Sequence, residues 1–185
     1  MRKLLYITLL VLPVIAFGAT GVSPQSEPAD FNFVIPEIVG VQLSDASITW
    51  DFSAMAGFPP AAFPQFYEPT TPVARPHQAI SYLVWGLGNG TANWELTVDG
   101  NADPAPACGI TLAEIQYAED DGTGTLIGAW TSFVVAPGPA IDNGAASTGG
   151  WLTMYHDYQV NIDGNETYPA TGTSSCTITY TIQTL

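Results

Sequence analysis

The sequence predicts an all-β fold: a single antiparallel β-sandwich, of immunoglobulin-like or jelly-roll type, with about eight or nine short strands. Three observations lead there. Apolar residues recur at spacing two in run after run, the mark of strands with one buried face. Gly, Pro, Asn and Asp punctuate the runs at short intervals, as turns between strands require. No stretch carries the 3.6-residue period of an amphipathic helix of useful length.

The chain of 185 residues opens on Met1-Arg2-Lys3 followed by apolar Leu4 to Phe17, and Ala16-Phe17-Gly18 supplies small residues for cleavage. This reads as a signal peptide over 1–18, which places the product outside the cell or on its surface. No later apolar run is long enough to span a membrane. Residues 19–30 (ATGVSPQSEPAD) are polar and form a flexible lead to a domain over 31–185. Once Arg2 and Lys3 leave with the signal, Arg75 is the one base against 17 acids, a formal charge of −16. Such a chain repels nucleic acid and anionic membranes. The two cysteines, Cys108 and Cys176, are an even count in an exported chain, so one disulfide is expected. It would close a loop of 68 residues and contribute about 4 kcal/mol on the chain-entropy account.

In chain order, Phe31, Phe33 and Ile35 alternate, then Val39, Val41 and Leu43, then Ile48, Trp50 and Phe52. The Pro-rich loop 54–78 holds six prolines together with Phe58, Phe63, Phe66 and Tyr67, which rules out a central strand or helix there. A loop of that length has a task, as an aromatic flap over the core or as a contact surface. The stretch 79–99 (AISYLVWGLGNGTANWELTVD) reads as a hairpin with Leu83, Trp85 and Leu87 on one strand, Trp94, Leu96 and Val98 on the other, and a turn at Gly88 to Thr91. Residues 110–117 fit a strand or one helical turn, and 119–124 a turn. One or two strands are expected within 125–136 and a loop over 137–150. Leu152, Met154, His156, Tyr158, Val160 and Ile162 share a face, as do Cys176, Ile178, Tyr180 and Ile182.

Candidate chemistry is sparse. His77 sits at the edge of the Pro-rich loop and His156 on an apolar strand face, and no His or Cys spacing suits zinc. Asp99, Asn101 and Asp103 have the spacing of the first three ligands of a calcium loop, but Pro104 and Ile110 stand where that motif needs Gly and Glu. A looser calcium site at these residues or at Glu119-Asp120-Asp121 is the single cofactor candidate; otherwise none is expected. No nucleophile elbow occurs, and acid count alone says nothing of a glycosidase pair. Asn89 and Asn165 begin glycosylation sequons. Exposed tryptophans near Asn and Asp would suit stacking on sugar rings, with a polysaccharide as partner.

The run Trp94-Glu95-Leu96-Thr97-Val98, before Gly109-Ile110-Thr111-Leu112, resembles the first motif of WxL-type bacterial surface domains. The resemblance implies a secreted β-sandwich that attaches to cell walls, although Trp151-Leu152-Thr153 lacks the spacing of the second motif. The layout is also similar to secreted β-sandwich filament subunits of pilin-like type. That resemblance implies self-association, with Phe31, Phe33 and Ile35 as a strand donated to a neighbour. The function expected from all this is a non-catalytic structural or adhesive surface protein, with a filament subunit as its sharper form. A carbohydrate-binding module is the alternative, and a secreted hydrolase comes third.

Overall fold

The computed structural model describes residues 36–87, 93–167 and 172–185. Nine strands follow in order: β1 (Ile38–Leu43), β2 (Gln65–Tyr67), β3 (Gln78–Trp85), β4 (Trp94–Gly100), β5 (Ile115–Asp120), β6 (Thr131–Ser132), β7 (Ala140–Gly144), β8 (Leu152–Ile162) and β9 (Ile178–Thr184). They make two antiparallel sheets, one of six strands ordered β1-β3-β8-β5-β6 with β2 also on β8, and one of three ordered β7-β4-β9. This is the β-sandwich that the alternation predicts.

Between the sheets lie Ile80, Tyr82 and Val84 of β3, Trp94, Leu96 and Val98 of β4, Tyr158, Val160 and Ile162 of β8, and Tyr180 and Ile182 of β9. Burial of each such aliphatic side chain is worth about 1.5–3 kcal/mol against solvent. Ile80, Val84, Leu96 and Val98 have no measurable exposure, so the centre of the sandwich rests on β3 and β4.

The expected hairpin is corrected by this arrangement. β3 and β4 belong to different sheets and face one another across the core, with the Tyr82 and Trp94 rings 5.7 Å apart. Each strand has a continuous apolar face, and facing them across the interior buries both, whereas pairing side by side would leave both to be covered by something else. The turn 88–91 lies outside the described residues; Leu87, just before it, packs against the core. The structure also sets the phase of β3. Ile80, Tyr82 and Val84 point inward, while Leu83 is half-buried and Trp85 is 42% exposed. Both faces of this strand are apolar, so its period alone fits either phase.

The disulfide is a second correction. Cys108 is buried, Cys176 is half-buried, and both are free thiols. Backbone bonds join their segments instead: Ala105 and Ser175 exchange amide-to-carbonyl bonds of 2.9 and 3.0 Å, and the Cys108 carbonyl accepts the Thr167 N–H at 2.7 Å. Burial, with the nearby Asp103 and Cys108, pushes the Cys176 thiol up.

Smaller departures have local causes. The expected strand at 48–52 reduces to a bridge between Thr49 and Thr71, and Trp50 donates its indole N–H to the Tyr67 carbonyl (3.0 Å). Within the Pro-rich loop, β2 forms between Pro64 and Pro69 as a three-residue edge piece on β8, where missing amides do least harm. The 110–117 ambiguity resolves into both options, a 3-10 turn at Leu112–Glu114 that runs into β5. The Thr111 N–H donates to Glu114 at 2.6 Å across that turn. β7 lies in the stretch read as loop; its one large apolar residue, Ile141, leaves no alternation to see.

Candidate functional site

Three places in the described residues carry features that packing alone does not call for. The first is β1. It is the terminal strand of the larger sheet, paired on one side with β3 in a register that sets Ile38 opposite Trp85 and Leu43 opposite Ile80. Among the described residues its other edge has no partner strand. Val41 packs on the core beside β9, but Ile38, Val39 and Leu43 are 44%, 42% and 43% exposed. Its sequence, IVGVQL, has no charge and no proline. Natural edge strands are normally guarded by charges, proline or a bulge against pairing with another chain, and this one has none of them.

The second is a buried polar cluster on the opposite face of β8 from the core. The Asp157 carboxylate is fully buried, and its Oδ1 accepts the His77 backbone N–H at 3.2 Å. Its Oδ2 faces Arg75 Nε at 3.3 Å, an ion pair without hydrogen-bond alignment. Arg75 also forms an ion pair with Glu68. His77 Nδ1 stands 3.2 Å from the Tyr158 backbone nitrogen, whose N–H it accepts in the neutral ring, and 3.2 Å from Asp157 Oδ1. Burial holds His77 below the usual histidine range, against the pull of Asp157. Burial likewise pushes Asp157 up, with His77 and Arg75 opposing. Asp120 stands near, its Oδ1 accepting the Gly122 and Gly124 amides at 2.6 and 3.1 Å. His77 and Asp157 resemble half of a catalytic dyad in type only. Its Nδ1 is shared between the Asp157 carboxylate and the Tyr158 amide, and both side chains are sealed from water, where a dyad needs one side open to substrate. What the cluster does is tie the end of the Pro-rich loop to β8, using Arg75, the one Lys or Arg after position 3.

The third is a chain of rings in the core. His156 Nδ1 and the Tyr158 hydroxyl both meet the Tyr180 hydroxyl at 2.8 Å, and the His156 ring stacks on Tyr117 at 4.9 Å. Burial pulls His156 down to about 4. One side of this ring closes a cleft of about 160 Å³ shared with Glu119, Ile141 and Met154.

The residues singled out in the sequence fare differently. Phe31, Phe33, Ile35 and Asn89 lie outside the described residues. Asn101 Oδ1 accepts the Thr177 N–H at 2.8 Å and Asp103 Oδ1 accepts the Leu112 N–H at 2.7 Å, so the calcium-like spacing serves as two loop braces. Asp120 and Asp121 cap their own turn through the amides of residues 122–125. Among the described residues no group of three or more His, Cys, Asp or Glu is placed to hold a metal. Asn165 is exposed, and its amide donates to Asp163 at 2.8 Å. Trp94 and Leu96, which carry the WxL likeness, are buried in the core. No helix among the described residues is long and apolar enough to cross a membrane. Sequence reasoning missed Asp157, although an acid between His156 and Tyr158 in so apolar a strand, together with a lone Arg75, was the available signal. No family model matches the chain, and neither a curated protein nor a solved structure matches it.

Proposed function

We propose that this is a secreted, non-catalytic structural protein of the cell surface that assembles with further copies of itself by strand addition. The observation that carries this reading is the edge of β1, unpaired among the described residues, apolar and uncharged, with three large side chains more than two-fifths exposed. An extended segment placed along that edge completes its backbone hydrogen bonds and covers those side chains. Phe31, Phe33 and Ile35 offer a matching alternation from a second copy. The formal charge of −16 sets a long-range repulsion that keeps free copies apart until strands pair, and it weakens as salt rises.

The test is light scattering and electron microscopy of the chain 19–185 beside its Phe33→Asp variant. Assembly into oligomers or filaments by the first, favoured by salt, and a monomer from the second are expected. A chain that stays monomeric at high concentration and high salt, with the variant indistinguishable from it, overturns the reading.

A further inference from the structure

The outer face of the larger sheet, away from the core, carries an aromatic platform. The paired registers of β1, β3 and β8 set its rows. Ile38 lies beside Trp85, and Gly40 beside Leu83. The next row is Gln42, Ser81 and Thr153, with the Ser81 and Thr153 hydroxyls 3.0 Å apart. Trp151, two residues before Thr153, falls on the same face. Its six-membered ring reaches across β3 to Gly40, where its tip stands 3.1 Å from the place a Cβ would occupy. The missing side chain at Gly40 is what leaves room for that ring. Successive rows are about 7 Å apart along the strands. Trp85 and Trp151 are 42% and 49% exposed. Two exposed indoles therefore share one face in neighbouring rows, with hydroxyl and amide groups as the next row.

We infer that this platform binds a neutral polysaccharide, whose sugar rings stack on Trp85 and Trp151 while Gln42, Ser81 and Thr153 hydrogen-bond their hydroxyls. Three points on the page select this occupant. None of the side chains in the three rows is charged, and the chain as a whole is strongly acidic, so neither an ionic peptide nor an anionic glycan is matched. The two half-exposed indoles and Ile38 present on the order of 300 Å² of apolar surface, against about 800 Å² per partner in a stable protein interface. A thin chain fits that area where a folded partner does not. The rows join apolar faces to hydroxyl and amide groups, as a sugar's C–H face and hydroxyl rim require. The platform is a sheet face and β1's free pairing groups are a sheet edge, so this inference stands apart from strand addition.

The test is native gel electrophoresis of the chain 19–185 in gels containing laminarin, hydroxyethylcellulose or glucomannan, with polygalacturonate as the anionic comparison. Retardation by at least one neutral polymer and none by polygalacturonate is expected. Trp85→Ala and Trp151→Ala are each expected to weaken binding about tenfold. Gly40→Val, which displaces the Trp151 ring, weakens it as well, while Trp130→Phe, away from these rows, does not. Unchanged urea midpoints for the tryptophan variants show that the fold is intact. If no neutral polymer retards the chain, or if the Trp85→Ala/Trp151→Ala double variant is retarded as before, the inference is wrong.

Discussion

Acidification attacks the core of this sandwich through His156. Its imidazole is 1% exposed, stacks on Tyr117 and bonds Tyr180, and burial holds its pKa at about 4 against the ordinary 6.5. Between those two values the unfolded chain binds a proton that the folded chain refuses. Stability attributable to this group is therefore complete above pH 6.5 and falls steadily as pH drops toward 4. A difference of roughly 2.5 pKa units corresponds to about 3 kcal/mol. Glu119 lines the same cleft, but burial alone accounts for the shift. His77, also held low by burial, adds a loss of the same sign. Asp157, held high, opposes it near its own titration. The comparison that isolates His156 is urea unfolding, followed by tryptophan fluorescence, of the parent chain and His156→Phe from pH 7.5 to 4. Phenylalanine keeps the stack on Tyr117 and gives up the bond to Tyr180, a cost of about 1 kcal/mol independent of pH. The parent is expected to lose about 3 kcal/mol more than the variant across this range. Parallel curves, differing by the same amount at every pH, would falsify the assignment of a neutral buried histidine.

Other outcomes follow from the same packing. Asp157→Ala strands the His77 amide and leaves Arg75 facing a void; it should cost about 3 kcal/mol in urea unfolding. Arg75→Ala should cost less, because that side chain is 27% exposed, and a reversed order would contradict the brace. Gly138→Ala places a Cβ 1.9 Å from the Val98 carbonyl oxygen, so its unfolding midpoint should drop sharply, while Gly150→Ala, with nothing within 4 Å, leaves it unchanged. Trypsin should leave the chain 19–185 whole even in urea, since its one basic residue, Arg75, precedes Pro76; cleavage there would show otherwise on a gel.

The parts of this fold that were legible in the sequence are those where one strand face is apolar and the other polar. β8 and β9 show it: Tyr158, Val160, Ile162, Tyr180 and Ile182 are buried in the phase their alternation demands. The phase of β3 stays open in the sequence because Leu83 and Trp85 are as apolar as Tyr82 and Val84. β4 was read correctly, but not its partner, since alternation says which face is buried and nothing about which strand covers it. β7 escaped notice with only Ile141 to mark it. Of the candidate sites, the edge of β1 depends on sheet order, which no local pattern encodes. The Arg75–Asp157 brace joins residues 82 positions apart, and the Trp85–Trp151 platform joins three strands. Asp99, Asn101 and Asp103 show the converse: a spacing that suits a cation is used, at Asn101 and Asp103, to satisfy backbone amides at two loop crossings.

The account turns on whether a second chain covers the edge of β1. Hydrogen exchange read by mass spectrometry on the peptide spanning 38–43, in dilute and in concentrated solutions of the chain 19–185, measures this directly. Strand addition predicts that exchange across 38–43 slows as concentration rises, that residues 31–35 slow with it, and that Phe33→Asp abolishes both effects. Exchange at 38–43 that is the same at every concentration, in the parent and the variant alike, would contradict it.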